Sequence, residues 1–391
     1  MKKKFAIFSF FSIFSLFLYS QNEDNISYSL YVGDGYVVPT NDFVKKGNKD
    51  SVAINHMISI SFRIAKQVDG TKAWHHLYNE FTYGVGGYYG RFNYSKNLNN
   101  PFALYGFIGF SPLKTERFAL KTNLALGLSF WWNGYSKENN LNVAISNPIN
   151  CYIDAGLDGY YRLNDNFQVF AGVSYTHFSN GAIVKPNKGI NVISPRIGLS
   201  YNPQKIVFKQ AMDSLNFQPK WENIISVYGG WHSVYKTFKY TPDNSSNEIK
   251  DTARKSYFVY GIQGRLMREL SYKYSLGLGV DLSYNSSIGY TSDKSHYSGY
   301  KNTLSSWDKT TISTFLAYEY KINKLSILLE PGVYLKIDEE HTESPKYYQR
   351  IGLRQQINEN YFCQVALRAY KLHIADYIEW TLGYRIKKNN K

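Results

Sequence analysis

Alternation of apolar and polar residues runs along most of the chain in stretches of about ten residues, separated by polar turns. Alternation with a period of two predicts β-strands, because successive side chains of a strand point to opposite faces. No helical period competes with it, except weakly within residues 202–221. The predicted strands are 26–38, 54–65, 76–90, 102–110, 117–132, 151–163, 166–179 and 189–201, followed by 222–236, 256–268, 271–286, 310–322, 323–336, 346–358, 360–373 and 376–387.

This pattern predicts an all-β protein, and its strand length is typical of an antiparallel outer-membrane β-barrel. A secreted β-sandwich is the alternative, with one polar face in water and one packed core face. The 36 tyrosines and the pair Trp131-Trp132 favour the barrel, because aromatic side chains form girdles at both membrane interfaces. Beyond the N-terminus no apolar run is long enough for a membrane helix, which excludes a helical membrane protein.

The two series of strands resemble each other. Residues 164–180 align loosely with 358–376, and 195–201 resemble 380–386. The chain is therefore either two eight-stranded barrels in tandem or one barrel of about 16 strands. The long segment between the series favours two barrels, since turns within a barrel are short on the periplasmic side. The expected domains are a signal peptide at 1–20, a barrel at 21–201, a linker at 202–221 and a second barrel-like half at 222–391.

The N-terminus has the features of a secretory signal. Lys2, Lys3 and Lys4 precede an apolar run from Phe5 to Leu18, and Ser20 is a small residue before the expected cleavage point. A membrane anchor is the alternative, although the run is short for a bilayer span. We therefore expect a protein exported to the bacterial outer membrane.

The formal net charge of +15 lies largely in turn-like segments. For an exported protein this favours a phosphate-bearing membrane surface over nucleic acid, and a solvated basic surface without a specific partner is the alternative. Cys151 and Cys363 lie far apart within predicted strands, so we expect them to be unpaired. No Cys/His spacing indicates a metal site, and we expect no cofactor.

The candidate chemistry lies in YTHFSNGAIVKPNKGIN, residues 175–191. In the strand from Phe167 to Ser179 the odd positions form the apolar face, which faces lipid in a barrel. His177 and Ser179 therefore share the outward face, where polar side chains are costly unless they have a function or lie at headgroup level. Asn191 falls on the same outward face in the next strand, whereas Asp154 and Asp158 point inward. The pair His177 and Ser179 suits an esterase in which the histidine activates the serine.

The motif HFSNGAIVKPNKGIN resembles the signature of the PagL-type lipid A 3-O-deacylases, also called acyloxyacyl hydrolases. The resemblance covers His177, Ser179 and Asn180, then Pro186-Asn187 and Gly189-Ile190. The rest of residues 26–201 resembles the family in strand pattern and length, and the second half only as a faded repeat. The family consists of outer-membrane barrels that remove an ester-linked acyl chain from lipid A.

The resemblance implies a role for each matching residue. Ser179 is the implied nucleophile and His177 the general base, and Asn180 with the backbone of Gly181 or Ala182 forms the implied oxyanion hole. Where this chain has Asn191, the family has a glutamate that orients the histidine. An amide oxygen can orient the ring but adds no charge. Lys185 and Lys188 are expected to attract the phosphates of the lipid.

The sequence therefore predicts an outer-membrane ester hydrolase that acts on lipid A or lipopolysaccharide. A phospholipid acyl hydrolase is a close variant. The alternative class is a non-catalytic barrel, serving as a pore, a scaffold or a partner-binding protein with a relic motif. His373-Ile374-Ala375-Asp376 supports a non-catalytic second half, because alanine stands where the repeat would place the serine. The sequence leaves the oligomeric state and the acyl position open.

Overall fold

The fold comes from a computed structural model that describes residues 25–209, 216–240, 249–290, 302–342 and 344–387. The predicted signal peptide at 1–20 lies outside the described residues. In the described part of the chain, no helix is long and apolar enough to cross a membrane.

The first barrel closes from eight consecutive antiparallel strands, β1 to β8. Each strand pairs with the next, and β1 pairs with β8 to complete the cylinder. A short helix, α1, spans Asp42–Lys45, and a 3-10 helix spans Ala73–Leu77. The strands are β1 (Ile26–Val37), β2 (His56–Gln67), β3 (Thr82–Phe92), β4 (Phe102–Lys114), β5 (Phe118–Phe130), β6 (Asn150–Arg162), β7 (Phe167–Ser179) and β8 (Ile190–Tyr201).

The second barrel repeats the same topology, and β9 pairs with both β10 and β16 to close it. Two closed eight-stranded barrels confirm the all-β prediction and exclude the single barrel of about 16 strands. The domain boundaries themselves stay a prediction. The strands are β9 (Trp221–Tyr240), β10 (Ile249–Glu269), β11 (Tyr274–Asn285), β12 (Thr310–Ile322), β13 (Leu325–Lys336), β14 (Tyr347–Gln356), β15 (Tyr361–Tyr370) and β16 (Ile374–Lys387).

Strand β2 shows how the sequence period produces the two faces of the first barrel. Its even positions from Ile58 to Ile64 are exposed apolar side chains, and its odd positions from Met57 to Arg63 are buried. An apolar outside is the arrangement that a lipid environment stabilises. The same alternation holds in β7, where Val169, Val173 and Tyr175 are exposed.

The interior of the first barrel is filled by an ion cluster and an aromatic cluster. Arg196 donates to both carboxylate oxygens of Asp158 at 2.7 and 2.6 Å and to Asp154 at 3.1 Å. These charges are buried, so each must find a partner inside the barrel. Asp154 and Asp158 therefore point inward, as predicted. Towards the end of the barrel that carries the candidate site, Phe178 packs against Trp132 and Tyr152.

The second barrel contains a larger buried ion network. Arg350 donates to Asp281, Glu330 and Glu379 at 2.6, 2.7 and 2.8 Å. Arg368 joins the same network through Asp281 and Glu379. The side chains of these residues are at most 1% exposed. The described interior is thus occupied by paired charges.

Of the strand boundaries that differ from the prediction, two have a cause in the local structure. Residues 76–81 do not begin a strand, because the 3-10 helix Ala73–Leu77 precedes β3, which starts at Thr82. Strand β15 ends at Tyr370 rather than at residue 373. Lys371 and Leu372 have φ of 50° and 64°, left-handed conformations that turn the chain and end the strand.

Candidate active site

Strand β7 places His177 and Ser179 on the outward face at its C-terminal end. Phe178 between them is 0% exposed and belongs to the aromatic cluster inside the barrel. Because side chains of a strand alternate, an inward Phe178 requires an outward His177 and Ser179. The predicted orientation of the pair is therefore the one observed.

The imidazole of His177 bridges Ser179 and Asn191. Its Nε2 atom lies 2.8 Å from the Oγ atom of Ser179. Its Nδ1 atom lies 2.5 Å from the Oδ1 atom of Asn191. His177 and Asn191 are direct partners in the pairing of β7 with β8, which brings the two side chains together. With Nδ1–H donating to the amide oxygen, Nε2 carries the lone pair and accepts from the serine hydroxyl.

The side-chain amide of Asn191 is bonded at both ends. The hydroxyl of Tyr175 donates to Oδ1 at 2.7 Å, and Nδ2 donates to Oγ1 of Thr40 at 3.3 Å. Thr40 lies in the segment that follows β1. This segment is bonded to β8, because the backbone N–H of Val38 donates to the Asn191 carbonyl. Asn191 is only 9% exposed.

The segment between β7 and β8 is fixed on the β5–β6 loop. The backbone N–H groups of Lys188 and Gly189 donate to the carbonyls of Val143 and Ala144, both at 3.0 Å. Ser146 donates to the Pro186 carbonyl. The start of β8 is thereby held next to the end of β7.

The predicted oxyanion residues follow Ser179 directly. The backbone N–H of Asn180 donates to Oδ1 of Asn187 at 3.0 Å. Gly181 and Ala182 both have φ of 61°, a region that glycine adopts freely and alanine rarely. The amide after the serine is thus bonded to another side chain of the motif. The role of Asn180 and Gly181 stays a prediction.

The predicted phosphate-binding lysines lie in the same segment. Lys188 is exposed and Lys185 is half-buried. Their role also stays a prediction. Among the described residues, no cluster of three or more His, Cys, Asp or Glu side chains could hold a metal ion.

Two family models match the two barrels separately. The model described as lipid A 3-O-deacylase (PagL) matches residues 59–200, which include the whole of the predicted site. The model described as the acyloxyacyl hydrolase C-terminal domain matches residues 221–389. The N-terminal barrel thus belongs to the PagL family. It is accordingly a hydrolase-family barrel of the outer membrane, followed by a second barrel that has a family description of its own.

The solved structures that match the chain have low sequence identity to it. The crystal structure of the outer membrane enzyme PagL is 15% identical and covers 44% of this chain and 97% of that chain, with a TM-score of 0.28. The toluene transporter TodX of Pseudomonas putida is 9% identical, covering 93% and 90%, with a TM-score of 0.20. A porin of Rhodopseudomonas blastica is 8% identical, covering 92% and 99%, with a TM-score of 0.16. No curated protein matches the chain.

The C-terminal barrel contains another bonded histidine, which lies between a serine and a carboxylate. Nδ1 of His232 lies 2.6 Å from Oγ of Ser287, and Nε2 lies 3.1 Å from Oδ1 of Asp376. Ser287 is 0% exposed, and its hydroxyl also lies 2.6 Å from Oδ1 of Asn285. This constellation was not found from the sequence, because its members lie on β9, after β11 and on β16. Its burial makes it part of the barrel interior.

The histidine that the sequence repeat aligns with His177 does not lie in a strand. His373 lies in the turn between β15 and β16, where its Nδ1 atom is 2.5 Å from the carbonyl of Lys371. The histidine of this segment is therefore not held on a strand face. This arrangement differs from that of β7, which continues through Ser179.

Tyr175 and Thr40 are residues of the site that the sequence analysis missed. Tyr175 carries a detectable signal, because it lies two residues before His177 on the same face of β7. Thr40 carries none, since it lies 151 positions from Asn191 and meets it only when β1 pairs with β8.

Proposed function

We propose that this protein removes an ester-linked acyl chain from lipid A, with Ser179 as the nucleophile and His177 as the general base. The observation that carries the proposal is the continuous hydrogen-bond chain from Ser179 Oγ through the imidazole to Asn191 Oδ1. This chain contains the three parts of a serine-hydrolase triad, a nucleophile, a base and a group that orients the base.

The reaction follows from the positions of the protons. His177 Nε2 takes the hydroxyl proton while Ser179 Oγ attacks the acyl carbonyl, and the carbonyl π electrons move to its oxygen. The collapse of this intermediate breaks the bond to the sugar oxygen, which takes the proton from Nε2 and leaves as an alcohol. Water, deprotonated by His177, then attacks the acyl-serine. The products are a free fatty acid and the restored Ser179 hydroxyl.

The negative oxygen of the intermediate needs hydrogen-bond donors. The backbone N–H of Asn180 follows the nucleophile directly and is the first candidate. In the resting site it donates to Asn187 Oδ1. On our proposal the oxyanion takes the place of this amide oxygen, with Gly181 as the second donor.

The outward position of the pair supports a substrate that is itself a membrane lipid. An acyl ester at the outer wall of the barrel can reach Ser179 without leaving the bilayer. Lys188 is exposed within the motif, and with Lys185 it would attract the phosphates of lipid A. The family description supports the 3-O-linked chain as the one removed.

The test is mass spectrometry of lipid A from cells that express the protein or its Ser179→Ala variant. We expect the intact protein to remove one hydroxyacyl mass and Ser179→Ala to remove none. The matched control is Ser287→Ala, which removes the other serine bonded to a histidine and should leave the deacylation unchanged. Heat-dependent gel mobility verifies that every variant is a folded barrel.

The outcomes separate the candidate functions. Unchanged lipid A with released phospholipid fatty acids would point to a phospholipid acyl hydrolase. If both lipid classes stay intact with folded protein in the outer membrane, the barrel is non-catalytic. Loss of activity in both serine variants would indicate damage to the fold rather than a nucleophile.

A further inference from the structure

An asparagine beside the catalytic histidine raises a problem that a carboxylate does not. A carboxylate only accepts hydrogen bonds, whereas an amide has an accepting end and a donating end. If the NH₂ group faces the ring, it stabilises the tautomer with the proton on Nε2, which cannot accept from serine. In the serine-protease triad, replacing Asp by Asn lowers kcat by about 10⁴ through this wrong tautomer.

The site contains two groups that distinguish the ends of the amide. Tyr175 donates its hydroxyl proton to Asn191 Oδ1 at 2.7 Å, so Oδ1 receives hydrogen bonds from both Tyr175 and His177. Thr40 accepts from Nδ2 at 3.3 Å on the opposite side. A phenol hydroxyl is a better donor than acceptor, and this favours oxygen rather than nitrogen next to Tyr175.

We infer that Tyr175 and Thr40 are positioning residues that hold the Asn191 amide with its oxygen towards His177. This inference rests on the proposed function, since it explains how an amide can serve where the family has a glutamate. A carboxylate needs no such help, because either of its two oxygens can accept from the imidazole. The amide needs Tyr175 and Thr40 to turn its one oxygen towards the ring. This orientation keeps the proton on Nδ1 and the lone pair on Nε2.

The backbone around both residues fixes the geometry. Tyr175 is two residues from His177 on one strand face, diagonally opposite Asn191 on β8. Thr40 is anchored because Val38 N–H donates to the Asn191 carbonyl at 2.9 Å, and because Asn41 Nδ2 donates to the Gly189 carbonyl at 3.0 Å. The amide is thus held from two sides by segments that pair with its own strand.

The experiment is a double-mutant cycle between Tyr175→Phe and Asn191→Asp, with lipid A deacylation measured in mixed micelles. In the unmodified Asn191 background we expect Tyr175→Phe to lower kcat about tenfold, the effect of losing one hydrogen bond, with KM changed less than roughly twofold. In the Asn191→Asp background the same change should alter kcat less than roughly twofold, because a carboxylate has no wrong end. Aspartate is chosen because it matches asparagine in shape.

The threonine is tested in the same way. Thr40→Val removes the acceptor and keeps the shape, and it should lower kcat only where Asn191 is retained. Thr40→Ser keeps the hydroxyl and should restore the activity. Equal losses with Asn191 and with Asn191→Asp, or no loss in either background, would overturn the inference.

A readout that does not require activity separates this inference from the proposed function. The ¹⁵N chemical shifts of His177 in detergent micelles report which ring nitrogen carries the proton. We expect the Nδ1–H tautomer in the unmodified protein and a shift towards Nε2–H in Tyr175→Phe. If the unmodified protein is inactive but Tyr175→Phe shows the tautomer shift, the proposed hydrolase activity is refuted and the positioning role stands. If the unmodified protein is active but Tyr175→Phe shows no shift, the positioning role alone is refuted.

Discussion

At the scale of single residues, the site depends on a glycine as well as on its polar groups. Gly189 has φ of 72° and follows the loop that brings Asn191 to His177. A Cβ atom at this position would lie 2.8 Å from His177 Cε1 and 3.1 Å from the Phe178 carbonyl. A side chain here is therefore opposed by both the backbone conformation and the imidazole.

We expect Gly189→Ala to lower kcat for deacylation at least about tenfold, because the ring must move away from Ser179 and small misplacements cost large factors. The barrel should stay folded, since the strain is confined to the residue before β8 and the start of that strand. Gly87→Ala is the matched control, because its added Cβ would come no nearer than 3.9 Å to Phe102. Equal activities of the two variants would contradict this explanation.

At the scale of the strand, the period of two decides which side chains meet lipid. Every second residue of β2 from Ile58 to Ile64 is an exposed apolar side chain. This regularity made the strand predictable from sequence. It also placed His177 and Ser179 correctly, because the same rule applies to β7.

A charge inserted into this apolar face should destabilise the barrel. We expect Ile60→Arg to lower the free energy of unfolding by about 2–4 kcal/mol, as for a cation near the middle of the bilayer. Reversible urea unfolding in lipid vesicles measures this loss. Glu116→Arg, in the exposed turn between β4 and β5, should change the stability by less than about 0.5 kcal/mol. If Ile60→Arg leaves the free energy of unfolding unchanged, Ile60 does not face the hydrocarbon core of the membrane.

At the scale of the whole molecule, the two barrels share a topology but differ in content. The N-terminal barrel combines a small ion cluster with aromatic packing next to the candidate site. In the C-terminal barrel Arg350 alone contacts three buried carboxylates. Such networks fill the interior of the barrel. Removing any one member should destabilise the fold, because it leaves a buried charge without its partner.

We expect Arg350→Ala to lower the unfolding free energy by about 3–5 kcal/mol, because Asp281, Glu330 and Glu379 would each lose a partner. The measurement is urea unfolding followed by tryptophan fluorescence. Arg268→Ala is the control, since Arg268 is exposed and its guanidinium lies over the ring of Trp221. It should cost about 1 kcal/mol or less. Similar losses for both variants would contradict a dominant role of the buried network.

The sequence by itself determined the strands, the outward face of His177 and Ser179, and the motif that joins them to Asn180, Asn187 and Gly189. These features are local, because alternation and motif spacing need only neighbouring residues. The short loops that interrupt strands were harder to place, as the 3-10 helix before β3 and the turn after Tyr370 show.

Only the tertiary structure decided that the sixteen strands described close as two barrels and that Tyr175 and Thr40 bind the two ends of the Asn191 amide. It also brought together His232, Ser287 and Asp376, and the buried charges of the second barrel. The physical reason is that these contacts depend on which strands pair and in which register. The register of paired strands is fixed by side chains that lie far apart in sequence, so the local alternation of residues does not predict it.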